Sequence, residues 1–164
     1  MDAFTLEELK KVSVEHYLGY HTAGTMSYEF DDAQQFTLVT SNATEADDVS
    51  NSRDPSKNGF IWVIEGYKQG SQKYYYLREV FRPTKKFEAA EDKHYAGAKK
   101  KFYYTLSGEG LDFERKFLLN DEPWFLEFKK RNGNFAFGLR VLADDQIKAH
   151  FLDFAKRHFN SKTQ

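Results

Sequence analysis

Hydrophobic positions recur along this chain in two rhythms, and the change from one to the other marks out the expected elements. Leu6, Leu9 and Val12 fall at helical spacing behind Thr5-Leu6-Glu7-Glu8, where threonine and the second glutamate stand as in a capping box. A short helix over about 5–17 is predicted, ending near Gly19. Around 35–41, Phe36, Leu38 and Val39 predict a strand. Residues 42–58 then offer little to bury and carry Glu45, Asp47, Asp48, Asp54 and Pro55, which reads as a long acidic loop.

From Gly59 onward the rhythm tightens to closely spaced strands. An apolar run over 60–66 is answered by 72–82 across Gly66-Tyr67-Lys68-Gln69-Gly70-Ser71, a hairpin with a loop longer than the minimal type. Segments 101–107 and 113–119 form a second candidate pair across Gly108-Glu109-Gly110. Asp121-Glu122-Pro123 starts a helix over 124–131 that stops at Asn132-Gly133, because proline at the first turn loses no hydrogen bond. Residues 135–142 supply a last strand. Over 144–159, Ile147, Phe151, Phe154 and His158 fall three or four apart on one face of a terminal helix. Its ends, Asp144 and Asp145 against Lys156, Arg157 and His158, match the helix dipole. The expected fold is α+β in a single domain over 1–164: a curved or closed, mostly antiparallel sheet, barrel-like over 59–142, with five to seven strands and about three helices.

Charge adds what periodicity does not show. Residues 1–67 hold 4 Lys and Arg against 12 Asp and Glu, whereas residues 68–164 hold 20 against 13, so a net charge of −1 conceals an acidic and a basic half. If that division survives folding, the basic side attracts a polyanion and the acidic side orients it. The chain has no cysteine, which excludes disulfides, thiolate metal sites and thiol nucleophiles. Residues 1–5 lack the charged and apolar regions of a secretion signal, and no apolar run approaches the roughly 20 residues of a membrane span, so a soluble, cytoplasmic protein is expected.

Aromatic residues make up 17% of the chain, beyond what a small core requires, and several alternate with cations. In 73–82, strict alternation sends Tyr75, Leu77 and Phe81 to one face and Tyr74, Tyr76, Arg78, Val80 and Arg82 to the other. The second face offers phenol rings for stacking and guanidinium groups for phosphates, against the plainer reading of a sheet face packed on a helix. The basic runs 82–86, 99–101, 115–116 and 129–131 fall in connections and strand ends, where they can meet on one rim or simply be solvated. Trp62 reads as core. Trp124, behind a helix-starting proline, is a stacking candidate.

Catalytic patterns are sparse. His16, His21, His94, His150 and His158 have no metal-binding spacing, and no phosphate loop, nucleophile elbow or dinucleotide fingerprint is present, so no catalytic residue, metal or cofactor is assigned. Phe60-Ile61-Trp62-Val63-Ile64-Glu65-Gly66, Tyr74-Tyr75-Tyr76-Leu77-Arg78-Glu79-Val80-Phe81, Pro123-Trp124-Phe125 and Gly133-Asn134-Phe135-Ala136-Phe137-Gly138-Leu139 together resemble the small PUA-like (EVE-type) barrel domains in order and flavour, over about 59–142. That resemblance implies a reader of RNA or of modified bases in DNA; no pocket residue matches position by position. Charge and resemblance lead to one expectation: a non-enzymatic nucleic-acid-binding module, with Arg82, Lys99, Lys100, Lys101 and Lys129 on phosphates and Tyr74, Tyr76 and Trp124 as stacking surfaces. The alternatives are a protein-interaction or defence-associated accessory protein that docks through the acidic half, and an enzyme whose active site is assembled from dispersed residues.

Overall fold

Each face of the sheet is covered by helices, and the sequence of β3 shows why. In the computed structural model, which describes residues 4–11, 13–23, 29–32, 35–40, 42–50, 53–88, 104–135 and 138–162, β3 (Phe60–Gln69) sends Phe60, Trp62 and Ile64 into one core cluster and Ile61 and Val63 into another. A strand apolar on both sides must be covered on both sides. On the first face lie α1 (Leu6–Lys10), α3 (Phe125–Arg131) and α4 (Asp145–Lys162), which contribute Leu9, Phe125, Phe128, Ile147, Phe151 and Phe154. On the second lies α2 (Ala43–Ser50), with Ala46 and Val49. Among the described residues, no helix is long and apolar enough to cross a membrane.

The described sheet has six strands: β1 (His16–Thr22), β2 (Thr37–Thr40), β3, β4 (Gln72–Glu88), β5 (Tyr104–Leu118) and β6 (Leu139–Val141), in the order β2-β5-β4-β3-β1-β6. All neighbours are antiparallel except β1 and β3, which run parallel with His16 opposite Phe60. The fold is therefore α+β, a curved and mostly antiparallel sheet flanked by helices.

Several local expectations give way to tertiary context. The first helix keeps its capping box, with Glu8 N–H donating to Thr5 Oγ1 and Thr5 N–H to Glu8 Oε2, but ends at Lys10. Residues 16–22 are drawn into the sheet because a parallel partner on β3 satisfies their backbone groups. The acidic stretch 42–58 contains α2 and a 3-10 turn (Pro55–Lys57), since Ala46 and Val49 suffice to seat one helical turn pair on the second face. The β3–β4 connection is a tight turn at Gly70, φ 64°, rather than a long loop, because Tyr67, Lys68 and Gln69 pair with Tyr74, Lys73 and Gln72.

The expected turn at 108–110 is the middle of one strand. Gly108 and Gly110 lie directly against β4, where an added Cβ would meet Arg82 O at 1.9 Å and Val80 O at 2.3 Å. These glycines permit close backbone approach within a continuous β5, not a reversal of the chain. The run 82–86 likewise belongs to β4 and not to a connection; Pro83 is accommodated beside a register shift between Pro83 and Lys85.

Candidate functional site

One residue of β4 reorganises both faces of the sheet. Val63 pairs with Glu79 and Ile64 with Leu77, so Arg78 is an extra residue of β4 against β3; against β5 the pairs Leu77–Phe117 and Glu79–Asp112 leave residues 113–116 of β5 across from it. It is a bulge, and a bulge inverts the alternation beyond it. Val80 joins the cluster of Tyr75 and Leu77, and Phe81 joins that of Ile61 and Val63. This corrects the strictly alternating face expected from 73–82: Val80 and Arg82 leave the side of Tyr74, Tyr76 and Arg78.

The first candidate site lies on the α4 face near the β3–β4 turn. Tyr75 is buried against Phe125 and Phe135, with ring centroids 5.2 and 5.8 Å away, and Tyr20 of β1 lies beside it at 6.2 Å. Lys73 Nζ stands 5.5 Å from the Tyr75 ring centre and 5.6 Å from that of Tyr20; Lys129 Nζ of α3 stands 5.1 Å from Tyr75. Ammonium groups so placed are attracted by the ring faces. Among the described residues, neither lysine forms an ion pair with a carboxylate. Burial pushes the Tyr20 hydroxyl up to about 12, which keeps both rings neutral beside the cations. Beyond Tyr20 lies a cleft lined by Leu18, Phe135, Gly138 and Arg140, with about 10 Å³ of water-accessible space. That volume holds roughly one water and not a base ring.

The residues singled out in the sequence are distributed as follows. Lys129 is in this cluster. Tyr74 and Tyr76 are half-buried on the opposite side of β4. Trp124 is half-buried, its ring stacked on His150 at 4.8 Å and edge-on to Phe128 and Phe151. Arg82 lies over the Phe60 ring at 4.2 Å, half-buried near the other end of the strand, where burial lowers its pKa. Lys99, Lys100 and Lys101 lie outside the described residues. Lys73 and Tyr75 were legible as neighbours on one face two residues apart, but their meeting with Lys129 and Tyr20 depends on three other elements.

The second polar cluster is on the α2 face around the bulge. Arg78 Nη1 donates to Glu65 Oε1 at 2.6 Å and Nη2 to Asp31 Oδ1 at 2.5 Å, while its guanidinium carbon lies 4.6 Å from the centre of the Phe30 ring. Glu79, 2% exposed, accepts from Phe36 N–H at 3.4 Å, and Gln35 Nε2 donates to Asp112 Oδ2 at 2.8 Å. Burial pushes the Glu79 carboxyl up to about 8, with the nearby Asp112 acting in the same direction and Phe36 N–H and Arg78 against it. Among the described residues, no three His, Asp or Glu side chains are placed to hold a metal ion.

Comparison with known proteins adds no assignment: no family model, no curated protein and no solved structure matches the chain.

A buried histidine opposes Glu79 in the stability profile. His16 Nδ1 accepts from Trp62 Nε1 at 2.9 Å, and burial lowers its pKa to about 4. Folding therefore favours neutral His16, a contribution lost as pH falls from 6.5 toward 4, and protonated Glu79, a contribution lost as pH rises from 4.5 toward 8. Between about 4.5 and 6.5 the two slopes cancel. Above 6.5 only the Glu79 slope remains, so stability is expected to fall by about 1–2 kcal/mol from pH 6.5 to 8. Urea unfolding across that range measures it, and Glu79→Gln should abolish the fall; an unchanged fall in that variant would assign it to another group.

Proposed function

We propose that the protein is a nucleic-acid-binding module whose contact surface is centred on Lys73 and Lys129. The observation that carries this reading is the pair of ammonium groups, without carboxylate partners among the described residues, held over the Tyr75 and Tyr20 rings. Arg140 lies exposed at the adjoining cleft. Cations held over ring faces suit a phosphate backbone laid along the surface, a sequence-tolerant mode of binding. The cleft is too small to take a base, so recognition is by surface contact and charge. Docking of a basic protein on the acidic half draws less support, because Asp31 and Asp47 already pair with Arg78 and Lys86 of β4.

The test is binding of a labelled single-stranded oligonucleotide as a function of salt. The wild type should bind with an affinity that falls as salt rises, and Lys73→Gln combined with Lys129→Gln should weaken binding and flatten the log–log slope by about 1.4. Lys57→Gln, in the acidic half, should leave the slope unchanged. Absence of binding at low salt, or a slope indifferent to the double substitution, would remove this reading.

A further inference from the structure

On the α2 face, Phe30, Asp31, Gln35 and Phe36 clasp the bulge of β4 through five contacts. Asp31 pairs with Arg78, Phe30 covers the Arg78 guanidinium, Gln35 bonds Asp112, Phe36 N–H bonds Glu79, and Phe36 O accepts from Gly108 N–H at 3.0 Å. We propose that this segment is a pH-gated latch, in which ionisation of Glu79 releases Phe30, Asp31, Gln35 and Phe36 from the sheet while the core beneath stays folded.

The charges around Glu79 explain why ionisation in place is costly. β4 supplies Arg78, β3 supplies Glu65, β5 supplies Asp112, and the clasping segment supplies Asp31. His21 of β1, level with Glu65, lies edge-on to Phe30 at 5.6 Å. α2 brings Ala46 and Val49, which offer no compensating charge. The Arg78 guanidinium is already engaged by two carboxylates, and its Nε is buried without a hydrogen-bond partner among the described residues. A Glu79 carboxylate would thus be a buried charge beside Asp112, with one weak 3.4 Å donor among the described residues. Letting water in by lifting the segment relieves that cost.

Two features of the described contacts favour release. Phe36 has φ 55°, a left-handed conformation that strains a bulky residue, and release removes that strain. Asp31 is 65% exposed, so its pair with Arg78 is open to competing water. Under Glu79, by contrast, Val80, Phe81 and Val63 are fully buried in the two cores.

The experiment is amide hydrogen exchange at Phe36, corrected for the intrinsic rate, from pH 6 to 8. With Glu79 titrating near 8 when latched and near 4.5 when released, opening should become about fiftyfold more frequent across that range. Phe36 should exchange faster than Ile64 of β3 throughout, the mark of local opening. Glu79→Gln should flatten the profile, and His21→Gln should leave it intact. Asp112→Asn, which removes the like charge, should make the rise level off at a lower pH and serves if Glu79→Gln does not fold. A flat wild-type profile, a slope that persists in Glu79→Gln, or Phe36 exchange equal to that of Ile64 at every pH would overturn the latch.

Discussion

Trp62→Ala is expected to cost about 3–5 kcal/mol, a large share of what holds a domain of this size folded. Trp62 is 1% exposed and lies at the centre of the α4-face core, with the Phe113 and Phe151 rings 6.4 and 5.4 Å away. Truncation opens a cavity that rings fixed by β5 and α4 cannot collapse to fill. It also removes the donor to His16 Nδ1, leaving a buried acceptor unsatisfied. Trp62→Phe keeps most of the volume and should cost roughly 1–3 kcal/mol, mostly from the lost hydrogen bond. Urea midpoints of the two variants measure the effect. A loss below about 1 kcal/mol for Trp62→Ala would mean that this core is far looser than its packing indicates.

Arg78→Ala is the second large effect, again about 3–5 kcal/mol at neutral pH, because it strands Glu65 as a buried carboxylate. Glu65 is 5% exposed, and Arg78 donates to it at 2.6 Å. Asp31, the other partner, is exposed and contributes little to the cost. One consequence separates this explanation from simple loss of packing. Replacing both partners, Arg78→Leu with Glu65→Leu, should restore most of the stability, since a buried pair exchanged for apolar groups is often neutral or better. A double variant as unstable as Arg78→Ala would contradict the stranded-charge account.

Where local chemistry decides, the residues were readable. Thr5 and Glu8 cap α1 as their spacing implies, and the three-to-four spacing of Ile147, Phe151 and Phe154 places α4 on the sheet; α3 begins at Phe125 behind Trp124 with no side-chain cap, so Asp121 and Pro123 stand before it and not in its first turn. The strand pair β3–β4 follows from apolar runs on either side of Gly70. Where a segment's state depends on a distant partner, reading failed. Residues 16–22 became a strand because β3 offers a parallel edge, and Gly108 and Gly110 mark the approach of β4 rather than a turn. Of the proposed binding surface, Lys129 was visible, but its counterparts Lys73, Tyr75 and Tyr20 were not assembled with it.

By itself, then, the order of residues determined the elements whose hydrogen bonds and apolar stripe lie within one stretch of chain, and with them the α+β character. Only the folded arrangement decided that Arg78 is the extra residue of β4, that Glu79 is buried beside Asp112, and that two lysines meet over Tyr75. A one-residue bulge turns every later side chain to the opposite face, and it is set by the register of β4 against β3. No local pattern encodes that, because the competing registers differ in long-range packing and not in the propensity of any residue involved.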